Sequence, residues 1–140
     1  MQATPLHFMT ISQVASLIQS KQLSPVELTE ALLYRIKALD GQLLSYATVM
    51  ADQAMASARA AESATSSGGY LGPLHGVPIA VKDLCFTTGV ATMGGTKALR
   101  EHVPSFDATV VKKLEAAGAV ILGKLNLTEG AMAGYNPEFP

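Results

Sequence analysis

Residues 77–124 lay down a short apolar run, a glycine-rich loop, an amphipathic segment and a second short apolar run. This order constrains the fold more than any other feature of the chain. The first run, Val77-Pro78-Ile79-Ala80-Val81, follows Gly72, Pro73 and Gly76 and stops at Lys82-Asp83. Its length, its Gly/Pro boundaries and its β-branched residues predict a buried strand. Gly89, Gly94 and Gly95 mark residues 86–100 as a loop. Asp107 is the expected N-cap of a helix carrying Val110, Val111, Leu114 and Ala117, which Gly118 ends. Val120-Ile121-Leu122 predicts a second buried strand. Strand, loop, helix and strand in that order make a βαβ unit at 77–124, with parallel strands and a right-handed crossover. Parallel strands share a carboxyl edge, and open α/β sheets build their sites there. Lys82 and the segment Lys124-Leu125-Asn126 are therefore expected on one edge, under the loops. A lysine in that place is either a solvated edge charge or a desolvated amine put there for chemistry, and the pattern alone leaves both open.

The residues before this unit read as scaffold. Thr10 and Gln13 form a T-x-x-Q capping box ahead of Ile11, Val14, Leu17 and Ile18, which fall on one helical face. Ser24-Pro25-Val26-Glu27 is a stronger start, with Ser as N-cap, Pro at the first helical position and Glu at the third. Leu28, Leu32, Ile36 and Leu39 form the expected buried stripe of that helix, and Gly41 its expected stop. Residues 44–50 can alternate as a strand, with Tyr46, Thr48 and Met50 on one side. An alanine-rich helix over about 52–64 precedes the flexible Ser/Gly stretch 63–69, which has the composition of an exposed loop. Asn126-Leu127-Thr128-Glu129 carries an N-x-x-E cap for one more short helix.

Composition excludes several function classes. The chain has 140 residues and a net charge of -1, with a pI near 6.3. It thus offers no basic field for nucleic acid or an anionic membrane. No apolar run approaches the roughly 18–20 residues of a membrane helix, and the N-terminus lacks the basic and apolar regions of a signal peptide. One cysteine, Cys85, rules out an intrachain disulfide and fits a reducing cytoplasm. The histidines, His7, His75 and His102, have no ligand spacing, so no metal and no cofactor is expected. His75, in its Gly/Pro-rich turn, is expected to bond backbone, and Cys85 to be a small buried filler. Gly89-x4-Gly94-Gly95-Thr96-Lys97 inverts the lysine and threonine of a phosphate loop and fails as one. Charged residues make up only 15% of the chain, against about 25% in a typical soluble domain. Such a chain is expected to have faces that meet a partner or a further part of the same protein.

Four motifs together resemble the amidase signature family: GPLHGVPIAVKDL at 72–84, TTG-x-x-T-x-x-G at 87–95, DATVV at 107–111 and GAVILGKLNLTE at 118–129. Each is weak alone; in this order and spacing they are specific. The resemblance covers the chain from about residue 12 to its end. It implies an α/β fold, the N-terminal part of the amidase signature fold, with helices packed on a mixed sheet that is incomplete in this chain. It also implies one amidase domain over 1–140, with a helical scaffold at about 10–67 and the lysine-bearing unit at about 70–140.

The family hydrolyses or transfers amides with a Ser-cisSer-Lys triad, and motif matching places its lysine on Lys82. The serines belong to a Gly/Ser-rich segment downstream of the lysine. Ser66-Ser67-Gly68-Gly69 precedes Lys82 and does not match it, so the serines are expected beyond Pro140 and the 140 residues alone are expected to be inactive. As a general base the amine must be neutral. Bringing a free lysine from about 10.4 to near 7 takes about 4–5 kcal/mol, which desolvation at the end of a buried strand can supply. Asp83 is adjacent, but strand alternation sends its side chain to the opposite face.

The implied partners are a small-molecule amide and the remaining part of the amidase, without nucleic acid or membrane; a homo-oligomer is left open. Met132, Ala133, Gly134 and Tyr135 are the expected substrate-pocket residues. Cys85-Phe86 stand where many members carry Asn-Ile. The run 130–135 also departs from the Glu-Phe-Ala-Met-Gly-Ser usual in the family's tRNA-dependent amidotransferase subunits. That favours a free-standing amidase over the amidotransferase reading. A truncated relative serving as a non-catalytic folding or partner-binding module is the alternative from another class.

Overall fold

The computed structural model describes residues 4–132 and 134. Among these residues four α-helices, α1 (Ile11–Gln19), α2 (Pro25–Leu43), α3 (Ala51–Ser66) and α4 (Thr109–Ala116), accompany three strands: β1 (Tyr46–Val49), β2 (Pro78–Lys82) and β3 (Val120–Leu125). The sheet order is β1-β3-β2. β2 and β3 are parallel and β1 is antiparallel to β3, so the sheet is mixed and the 77–124 segment is the expected βαβ unit.

Local signals position the first helices as anticipated. The Thr10–Gln13 capping box opens α1, and Ser24 accepts from the N–H groups of Val26 and Glu27 to open α2. Ile11 stands 52% exposed, outside the stripe formed by Val14 and Ile18. α2 does not stop at Gly41. It runs to Leu43, with Leu44 left-handed at φ 50°, because the Asp40 carboxylate accepts from the N–H groups of Ser45 and Tyr46 and turns the chain into β1. Asp107 does not cap α4 either. Its carboxylate accepts from Thr88 N–H at 2.6 Å and ties the glycine-rich loop to the helix start, while the N-cap position falls to Ala108. The N-x-x-E helix is absent as such. Asn126 instead bridges to Leu44 carbonyl and Leu127 N–H, and among the described residues a short 3-10 turn, Glu129–Ala131, follows.

Side chains alternate across the sheet and build a core on each face. Ala54 and Ala58 of α3 press on Val120 and Leu122, flanked by Val26, Leu32, Leu33 and Ile36 of α2. On the other face Val111 of α4 meets Val81, Val90, Ile121 and Met50. A third cluster joins α1 and α2 to the start of β2 through Val14, Ile18, Leu23, Leu28 and Val77. Each fully buried Val, Leu or Ile contributes about 1.5–3 kcal/mol.

Two turns hold the unit's ends. Gly118, at φ +78°, lies so close to His75 that a Cβ there would sit 2.4 Å from Nδ1. His75 is buried and its Nε2 meets Ala61 carbonyl at 3.0 Å, so it does bond backbone, but that of α3.

Candidate active site

The carboxyl edge of the parallel pair brings together the two segments expected there. Lys82 is registered with Leu125, and Val81 with Lys124. Loop 83–95 returns over this edge: Asp83 N–H donates to Leu125 carbonyl, Asp83 carbonyl accepts from Gly94 N–H, and Gly130 N–H donates to Gly94 carbonyl. Gly95, at φ +74°, passes within 2.7 Å (Cβ position) of Leu127 carbonyl, a space no side chain can share.

Lys82 is exposed, so the burial anticipated for it is not provided by the described residues. The desolvated lysine is Lys124. A register shift adds one residue to β3 between the pairs Ile79–Ile121 and Ala80–Gly123. A bulge of this kind re-aims the side chains that follow it. Without it Lys124 would share the face of Val120 and Leu122; with it, Lys124 shares the face of its pair partner Val81. Lys82 and its partner Leu125 fall on the opposite face by the same alternation.

The Lys124 side chain is completely buried. Its Nζ donates to Thr92 Oγ1 at 2.7 Å and lies 3.5 Å from Ala91 carbonyl and 3.2 Å from Asp83 Oδ1. Asp83, 1% exposed, also accepts from Met93 N–H through Oδ2 at 2.9 Å. Burial pushes the Lys124 ammonium below the ordinary lysine range; the Asp83 carboxylate opposes the shift, and Cys85 does so more weakly. Cys85 is half-buried against the Val81 cluster, in keeping with a filler. Of the anticipated pocket residues, Met132 is 94% exposed and Gly134 is exposed; Ala133 and Tyr135 lie outside the described residues.

Asp83 stands on the face opposite Lys82, as strand alternation anticipates. Its partner is not legible from that alternation, since Lys124 reaches the same face only through the bulge. Thr92 carries no signal of its own beyond its place in the loop motif. Among the described residues no cluster of His, Cys, Asp or Glu could hold a metal ion. No helix among them is long and apolar enough to cross a membrane.

The architecture defines an α/β protein whose polar residues collect at the carboxyl edge of a parallel strand pair. The Amidase family model matches residues 27–138, and the chain belongs to that amidase signature family. It is 54% identical over 130 residues to the Mycobacterium tuberculosis protein named "Putative amidase AmiD", covering 93% of this chain and 27% of that one. Against a glutamyl-tRNA(Gln) amidotransferase subunit of Moorella thermoacetica it is 46% identical over 127 residues, covering 91% and 26%. The peptide amidase from Stenotrophomonas maltophilia superposes with a TM-score of 0.84 at 34% identity, covering 89% of this chain and 26% of that one. The chain thus spans about a quarter of the length of the relatives it matches.

Proposed function

We propose that this chain is the N-terminal part of an amidase that hydrolyses a carboxamide C–N bond, with Lys82 as the general base of a Ser-cisSer-Lys triad. The observation that carries the reading is the position of Lys82. In a chain of this family, the lysine of the GVPIAVKD motif stands at the carboxyl end of a parallel strand, in register with Leu125. In the proposed reaction the neutral Lys82 amine takes a proton from the bridging serine, which takes one from the nucleophilic serine. The serine oxygen then attacks the amide carbonyl, the amine leaves with a proton, and water releases the acid from the acyl-enzyme. Both serines are assigned to the enzyme outside these 140 residues, since no Gly/Ser-rich segment follows Lys82 here. That same part of the enzyme would cover the exposed Lys82 and exclude water from it.

The test is Lys82→Ala in the longer protein, with p-nitroacetanilide and a peptide carboxamide as probes. A positioned base contributes about 10²–10⁴-fold to rate, so turnover should fall by that factor while the thermal transition holds. Near-parental turnover would remove Lys82 from the mechanism.

The second reading is the corresponding subunit of a tRNA-dependent amidotransferase, favoured by the 46% identity to the Moorella protein. The higher identity to the amidase-named relative and the Gly130-Ala131-Met132 start of the 130–135 run support the free-standing enzyme. Amide-derived ammonia that is released to solvent without any tRNA would agree with hydrolysis. Ammonia formation that requires a charged tRNA would move the assignment to the amidotransferase.

A further inference from the structure

The buried Lys124–Asp83 pair lies directly behind the strand end that carries Lys82, and the triad just described does not use it. A stabilising role alone does not call for two buried charges. A buried ion pair is often no more stable than a well-packed apolar replacement, and Val81, the register partner of Lys124, belongs to the apolar cluster of Val90, Val111 and Ile121. Its placement suggests a different use. Asp83 is covalently next to Lys82, their Cα atoms about 3.8 Å apart across the peptide bond. An uncompensated carboxylate there would favour the charged form of the neighbouring amine, the form that cannot act as a base.

We propose that Lys124 and Asp83 are positioning residues for Lys82. Lys124 cancels the Asp83 charge that would otherwise keep Lys82 protonated, and the pair anchors the loop that leaves Lys82 to β3. Three contacts support the anchoring. Asp83 Oδ1 lies 3.2 Å from Lys124 Nζ, Asp83 Oδ2 accepts from Met93 N–H, and Thr92 Oγ1 accepts from Lys124 at 2.7 Å. Asp83 N–H is further bonded to Leu125, the register partner of Lys82. The ionisable groups around Lys124 are Asp83 and Cys85. The groove beside Ala80, two residues before Lys82, is lined by Arg35 of α2 and Tyr46 of β1, and Asp40 acts on Tyr46. The inference rests on the reading of Lys82 as the base.

The experiment is the pH dependence of kcat/KM for p-nitroacetanilide hydrolysis in the longer protein, comparing the parent with Lys124→Met, Asp83→Asn and Lys82→Ala. Charge compensation makes a signed prediction. Lys124→Met leaves the carboxylate alone and should move the rising limb of the profile up by about one pH unit; Asp83→Asn removes the carboxylate and should move it down, by a smaller amount because burial then favours the neutral Lys124 amine. The double variant should return the limb to the parental position. A merely structural pair would lower the rate and leave the limb where it is, and that result overturns the proposal, as does movement in the same direction in both variants. Where one single variant fails to fold, judged by its circular dichroism melt, the sign of the other decides. Absent turnover in the parent, or full activity in Lys82→Ala, would instead overturn the assignment of the base and the inference with it.

Discussion

At the scale of single residues, two lysines divide the properties expected of one. Lys82 has the position, at the carboxyl end of a parallel strand; Lys124 has the burial. The division follows from one bulge and has measurable consequences. Lys124→Met leaves the buried Asp83 carboxylate without its counter-charge and is expected to cost about 3–5 kcal/mol in guanidinium unfolding of the longer protein, whereas Asp83→Asn combined with Lys124→Met should recover most of that loss. The Lys124 ammonium also makes stability depend on pH. Its ionisation lies below the ordinary lysine range when folded, so the unfolded chain binds the extra proton. The associated stability is present above pH about 10.5 and is lost as pH falls through the folded-state value. Tyr46, raised by burial and by Asp40, has the opposite slope above pH about 10. The lysine component is therefore read as the difference between parent and Lys124→Met in unfolding free energies measured at pH 8 and at pH 10.5. A difference that does not change with pH would contradict it.

At the scale of elements, the turns join secondary structures that local signals define separately. Gly118 closes α4 in a left-handed conformation against the His75 ring. Gly118→Ala places a methyl group where the ring already stands and adds backbone strain of about 1–3 kcal/mol. The variant is expected to lower the thermal midpoint and to perturb the His75–Ala61 contact, which the His75 ring resonances would report by NMR. Helix starts at Thr10 and Ser24 were legible because a cap is a bond within three residues. The stop of α2 and the role of Asp107 were not. Asp40 and Asp107 spend their carboxylates on Tyr46 and Thr88, partners six and nineteen residues away, and no short-range pattern contains those bonds.

At the scale of the whole molecule, β1 and β2 are the edges of a three-stranded sheet among the described residues. The groove between α2 and the sheet displays Leu32, Leu39, Leu43, Pro78 and Ala80. Unpaired strand edges and open apolar surface promote association. The 140 residues expressed alone are therefore expected to self-associate in size-exclusion chromatography and to show no turnover of p-nitroacetanilide. A monodisperse monomer would contradict the first expectation, and Lys82-dependent turnover the second.

The sequence by itself determined the parallel βαβ unit, the edge at which Lys82 stands and the family, because periodicity, caps and motif spacing are local and survive without knowledge of the partner strand. The face of the sheet from which each lysine projects was decided only by tertiary structure. Alternation along β3 predicts the wrong face for Lys124 unless the extra residue between its pairings with Ile79 and Ala80 is known. That insertion belongs to the pairing of two strands about forty residues apart. It is what carries Lys124 to the face of Val81, to meet the carboxylate beside Lys82.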